Sequence, residues 1–401
     1  MLVSLLVGAL LCQGGSEFGS NFNGNIETAI VANEARKSGG GEFSMGDYIV
    51  NFKIDAAYTK GKNRIGLYFD FVPESSVWNY ADTSKINYNN EYWMRQDGYT
   101  NRPYILTGLY ARHLYDGGSF LEGKIGGFLA SGLTPLDGIP NQNSLTMPIP
   151  LVFSQHYDKG IMISYSFKKI FQIDAGLIDG DYTTGEADVY TLHDSAHNSY
   201  PSLAGALQFT PTKILPTWWE NTFGQLTFGG TGTKGDQGSY PGEKRRQNNL
   251  TAYVDYQVPC LIGYIEVRPF ATWIERNPIG DGSGKHVPPV RTRGKGIELA
   301  YRDISTPFAT IDLYGHIWEM ENLDNVADGE IWFASDGIVS QKLKGWTTGI
   351  KFNDPFGITD NKVSYFGFSY SNIKVDNSGS FAKLLGQESF AIYLFSFGLN
   401  W

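Results

Sequence analysis

Apolar and polar residues alternate along most of this chain with a period of two. The clearest stretch is residues 47–60, where Tyr48, Val50, Phe52, Ile54, Ala56 and Tyr58 share one face. Asp47, Asn51, Lys53 and Asp55 share the other, together with Ile49 and Ala57. Successive side chains of an extended strand point to opposite sides, so this pattern predicts a strand with one apolar face. The same alternation sets Ile65, Leu67, Phe69 and Phe71 against Arg64, Gly66, Tyr68 and Asp70. It sets Leu250, Ala252, Val254 and Tyr256 against Asn249, Thr251 and Asp255, and Ile265, Val267, Ala271 and Trp273 against Glu266, Arg268 and Thr272. No amphipathic helix of comparable length interrupts it.

About sixteen such segments are predicted, at 21–33, 46–59, 64–72, 104–113, 119–130, 160–168, 170–180, 202–210, 222–231, 248–258, 261–274, 292–302, 307–318, 343–353, 362–371 and 389–401. The connections alternate in length. Short ones fall at 61–63, 114–118, 169, 259–260, 303–306 and 354–361. Long ones fall at 37–43, 73–103, 130–159, 181–201, 232–247, 275–291, 319–342 and 372–388. A soluble sandwich has no reason to lengthen every second loop. A transmembrane antiparallel β-barrel does, with short periplasmic turns and long extracellular loops, and an even strand number. The fold expected is therefore all-β, one barrel over residues 17–401.

Composition agrees with that picture. The 401 residues include 48 glycines and 14% aromatics but only 18% charged residues, a mixture suited to pleated, half-buried surfaces. The mean hydropathy of -0.25 opposes a helical membrane protein, while a barrel averages its two faces to such a value. With a net charge of -9 and no dominant basic stripe, nucleic acid is not an expected partner. Residues 1–16 read as a signal peptide: Leu2 to Leu11 is too short to span a bilayer, and Gly14, Gly15 and Ser16 follow it. The n-region carries no Lys or Arg. Cys12 follows Leu11, which fits poorly the small residue that lipoprotein processing prefers. Without the signal only Cys260 remains, so no internal disulfide is expected.

The chain ends Ala391-Ile-Tyr-Leu-Phe-Ser-Phe-Gly-Leu-Asn-Trp401, with Tyr393, Phe395, Phe397, Leu399 and Trp401 on one face. This segment resembles the closing strand of Gram-negative outer-membrane β-barrel porins. The resemblance covers about a dozen residues closely and the strand–loop rhythm overall. It implies a water-filled channel for passive diffusion of small hydrophilic solutes and ions, lodged in the bacterial outer membrane. It also implies a homotrimer, contact with outer-membrane lipid and lipopolysaccharide, and recognition of the last strand by the barrel-assembly machinery. A buried soluble strand ending the chain is the alternative for these residues taken alone.

The inward face expected from the alternation carries Lys53, Asp55, Arg64, Asp70, Arg112, Glu122, Lys124, Asp174, Asp255, Glu266, Arg268, Glu298, Arg302, Asp312 and Lys351. Acids and bases are mixed, as in a channel where opposed charges set a transverse field. For any one of them, a solvated wall residue with no selective role is the better description. The third long connection, 130–159, is apolar and proline-rich (Leu136-Asp-Gly-Ile-Pro140, Met147-Pro-Ile-Pro150) and suits packing on the inner wall. The resemblance places Asp137 of this loop opposite a basic wall formed by Lys53, Arg64 and Arg112. The constriction set expected is thus Asp137, Lys53, Arg64, Arg112, Glu122, Lys124, Glu266, Arg268, Glu298 and Arg302.

Inward aromatics (Tyr68, Tyr253, Tyr264, Tyr314, Trp318) leave a sugar-selective channel as the second reading, because such rings can stack on sugars. The Trp-, Tyr- and Asn-rich segment 73–103 leaves a surface adhesin as the third. Catalysis finds little support. Six histidines occur, and His193 and His197 flank Asp194 in a polar loop without helical pattern, so metal binding needs a geometry the sequence does not supply. Asp194-Ser195-Ala196-His197 contains residue types used by hydrolases, but no orienting partner is identifiable. No cofactor motif is present.

Overall fold

The computed structural model describes residues 19–37, 40–72, 104–131, 148–154, 156–178, 201–239, 243–279, 290–322, 342–355, 364–375 and 387–400. Sixteen strands are found among them, one for each predicted segment. They are β1 (Gly19–Lys37), β2 (Gly40–Lys60), β3 (Asn63–Val72), β4 (Tyr104–Leu114), β5 (Phe120–Ser131), β6 (His156–Phe167), β7 (Phe171–Ile178) and β8 (Ser202–Phe209). The second half contains β9 (Gln225–Ser239), β10 (Glu243–Pro259), β11 (Tyr264–Ile279), β12 (Val290–Ser305), β13 (Thr310–Asn322), β14 (Lys342–Asn353), β15 (Ser364–Val375) and β16 (Gln387–Asn400). Each pairs antiparallel with its neighbours in sequence, and β16 returns to pair with β1, from Asn25↔Asn400 to Lys37↔Gln387. The barrel is closed, which removes the exposed edges that long aromatic strands would otherwise present.

The outer face is apolar. Ile65, Ile163, Leu203, Leu250, Leu299, Ile317, Phe368, Phe395 and Phe397 are all exposed large hydrophobics. An aliphatic belt of this extent on a water-soluble protein would be an aggregation hazard, and lipid is the solvent that accommodates it. Aromatic residues mark its two margins. Tyr58, Tyr165 and Tyr256 stand outward near the short turns, and Trp273 and Trp346 near the other end, in the positions where amphipathic rings prefer a membrane interface.

Two of the expected long loops are instead strand. β1 and β2 run on until only residues 38–39 separate them, and β9 and β10 until only 240–242 do. Beyond the lipid boundary both faces of a hairpin meet water, so the alternation fades there while the ladder hydrogen bonds continue. The connection between β8 and β9 also differs from expectation. It falls in neither the short nor the long set and folds as a 3-10 turn (Pro211–Ile214) followed by α1 (Thr217–Phe223), and the strand predicted from 222 begins at Gln225.

Candidate functional site: the inner wall

Inward side chains follow from the register. On β11 and β12 the cross-strand pairs Thr272↔Gly294, Arg268↔Glu298 and Tyr264↔Arg302 step down the inside of the barrel towards the turn at 260–263. Arg268 and Glu266 are fully buried, and Arg302 and Glu298 nearly so. Removing ions from water costs several kcal/mol each unless partners replace it. Here Arg268 donates to Glu266, and Arg302 donates to Glu266 at 2.9 Å and to Glu298 at 3.1 Å. Asp255 on β10 approaches Arg268 Nε at 3.6 Å and accepts from Gln257 at 2.9 Å. Asp312 on β13 accepts from Asn353 Nδ2 at 2.9 Å and from the Asp303 backbone at 2.9 Å. Lys351 lies 4.1 Å from the centre of the Tyr365 ring.

The opposite wall holds a second polar group. Seven strands lie between β3 and β11 in either direction round the ring, so the two are diametrically placed. Arg64 donates to Asp55 at 3.2 Å, the Tyr110 hydroxyl donates to the same carboxylate at 2.8 Å, and Arg112 donates to Glu122 at 2.6 Å. Lys124 sits 5.0 Å from the centre of the Tyr68 ring. These side chains are more open than those across the barrel: Arg64 and Arg112 are 28% and 21% exposed. Lys53 stands opposite Asp70 in the register of β2 and β3.

The loop between β5 and β6 enters this interior. A short helix, Ile149–Ser154, which follows Pro148, contacts β10, β11, β12 and β13. Pro150 fills the space above Gly294, so closely that a side chain there would collide with it. Leu151 and Ser154 are fully buried, and the Ser154 hydroxyl donates to the Leu151 carbonyl at 2.8 Å. The expected packing of the third long loop on the inner wall therefore holds for this segment. Its contact is with the acid-rich side of the barrel. Asp137 lies outside the described residues, as do His193, Asp194, Ser195, His197 and residues 73–103.

The inward aromatics prove to have a different setting from the one alternation alone implied. Tyr253 lies directly across from Gly229, Tyr314 from Gly349 and Trp318 from Gly345, and each ring occupies the space a side chain on that glycine would need. Tyr68 does the same against Gly108, while its hydroxyl donates to the Gly127 carbonyl at 2.6 Å. Tyr253, Tyr314 and Trp318 are at most 6% exposed. Tyr264, half-buried at the foot of β11, is the fifth. Tyr110 against Gly66 and Tyr365 against Gly398 extend the pattern to rings the alternation had not singled out. Their signal in the sequence is a glycine at the paired position, visible only once register is known.

No cluster of metal-ligating side chains occurs among the described residues. No protein-family model matches this sequence, nor does any curated protein. Solved structures do match it in shape. OprB of Pseudomonas putida superimposes with a TM-score of 0.58 at 10% identity, covering 99% of this chain and 96% of that one. The outer-membrane channel DcaP of Acinetobacter baumannii gives 0.53 at 11% identity, over 97% and 99% of the two chains. An anion-selective porin from Comamonas acidovorans gives 0.51 at 11% identity, over 96% and 100%. With the closed sixteen-strand ring, the apolar outside and the charged inside, these likenesses show that the chain has the fold of the outer-membrane porins.

Proposed function

We propose that this chain is an outer-membrane porin that lets small hydrophilic solutes and ions cross by passive diffusion. The observation that carries the reading is the segregation of the wall: a belt of exposed aliphatics outside a closed barrel, and charged residues on every inward strand from β2 to β5 and β10 to β14. Among the side chains described, the early wall carries Arg64, Arg112 and Lys124 against Asp55 and Glu122. The late wall carries Asp255, Glu266, Glu298 and Asp312 against Arg268, Arg302 and Lys351. One wall has a base in excess and the facing wall an acid, which sets a transverse field across the interior. The sugar-selective reading rested on free aromatic faces, and three of its five rings are buried against glycines.

Partners follow from the outer surface. On β12 to β15 the outward row Lys295↔Glu319↔Lys344↔Lys374 lies above the apolar belt, and Arg293 stacks on Trp273 at 4.0 Å. Bases at that margin suit the phosphates of lipopolysaccharide. A homotrimer is the assembly we propose, supported by the trimer form of the OmpT of Vibrio cholerae, a structure of the same fold at TM-score 0.50. The outward Phe395, Phe397 and Leu399 of the closing strand are the residues the assembly machinery would read.

Planar-bilayer recording tests the proposal. Ohmic conductance that sugars leave unchanged is the expected result. Saturable block by a sugar would replace it with the selective channel, and an inert protein would rule out both.

A further inference from the structure

The connection between β8 and β9 is the one described turn at its end of the barrel that carries an α-helix, and it gathers four exposed large apolar side chains, where the turns at Leu114–Tyr115 and Leu261–Ile262 carry two each. Ile214 is 63% exposed, Trp218 58%, and Leu215 and Phe223 are nearly half exposed. The three aromatic rings of α1 pack on one another, with Trp218–Trp219 centroids at 5.8 Å and Trp219–Phe223 at 4.6 Å. The segment is well anchored: Lys213 and Glu220 form an ion pair at 2.9 Å, and the Leu226 backbone donates to the Thr212 hydroxyl at 3.1 Å. Such a firmly built apolar cluster needs a covering, because water penalises it.

Its position identifies the cover. The Tyr256 hydroxyl donates to the Phe223 carbonyl at 2.7 Å, and Tyr256 points outward from β10 at the lower margin of the apolar belt. Phe209 and Phe228, outward at the neighbouring ends of β8 and β9, are also exposed. The patch on α1 is thus continuous with the lipid-facing surface, and its Trp–Trp–Phe composition is what membrane interfaces select. We propose that residues 211–223 form a foot that lies in the headgroup layer of the leaflet at the short-turn end, and that phospholipid covers Ile214, Leu215, Trp218 and Phe223. The inference rests on reading the outer belt as lipid-facing, and is independent of what the barrel conducts.

Fluorescence quenching tests it on the full chain reconstituted in phosphatidylcholine vesicles, with acyl chains brominated either near the headgroup or near the bilayer centre. Subtracting the emission of Trp218→Phe from that of the unmodified protein isolates Trp218. Trp346→Phe isolates, in the same way, an outward ring at the opposite margin of the belt. The expected result is loss of most Trp218 emission with shallow bromines and little loss with deep ones, while Trp346 is quenched by lipid. If Trp218 ignores both lipids while Trp346 responds, the foot is overturned and the barrel reading stands. Aqueous iodide then tells whether water reaches the ring, or whether another protein surface, such as a second copy, covers it. If neither ring responds to brominated lipid, both the foot and the membrane-spanning reading fall.

Discussion

The Tyr314 ring occupies the volume that any side chain at Gly349 would claim, and the same relation joins Tyr253 to Gly229 and Trp318 to Gly345. The glycines weaken their strands by exposing backbone and offering nothing to pack. The rings across from them restore that packing and cover the bare ladder. Replacing Gly349 with Val should cost about 1–3 kcal/mol through overpacking. Urea unfolding in a lipid bilayer would read this as a lower midpoint, and the further substitution Tyr314→Ala should recover part of it. If the double variant is no more stable than Gly349→Val alone, the ring and the glycine are not coupled. Alternation put these aromatics on one face with the charges Arg64, Glu266, Arg268 and Arg302, and the structure buries Tyr253, Tyr314 and Trp318 together with Glu266, Arg268 and Arg302. What it could not reveal was the glycine opposite each ring, because pairing depends on register between strands far apart in sequence. The same limit hid the buried Glu266–Arg302 contact, which spans 36 residues of chain.

Strands were the most legible elements, since lipid on one side and a polar interior on the other enforce a strict period of two. That constraint ends at the membrane boundary, which is why the extensions of β1–β2 and β9–β10 read as loop. Helix α1 was missed for a different reason: its seven residues make barely two turns, too few to show a helical period, and Pro211 and Pro216 read as turn signals. The inward helix Ile149–Ser154 was legible only through its loop's composition, since an apolar, proline-rich connection does not belong in water. It narrows the interior from the side of β10 to β13. Replacing residues 148–154 with a Gly/Ser linker should detach the loop from the wall and raise single-channel conductance. An unchanged conductance would mean that this helix lies outside the path of the ions.

The distribution of charge belongs to the whole ring. Neither wall is strongly charged by itself, and the buried late-wall ions largely cancel through their own pairs. The early wall is more open, so its excess base dominates what a passing ion meets. Lys124, inward on β5 and partly exposed, is the residue to reverse, because its neighbours Arg112 and Glu122 already hold each other at 2.6 Å and would keep their pair. Lys124→Glu should move the reversal potential in a salt gradient towards cation preference. The shift must also depend on ionic strength. Screening lengths fall from about 10 Å at about 0.1 M salt to about 3 Å at about 1 M, so a field reaching across the interior is felt in dilute salt and fades in concentrated salt. A gradient centred near the lower concentration should therefore show the larger change between Lys124→Glu and the unmodified channel. A shift of equal size in both salts would mean that Lys124 acts on ions at contact, as a local binding group, and not through the opposition of two walls. No shift in either would remove the early wall from the conduction path altogether.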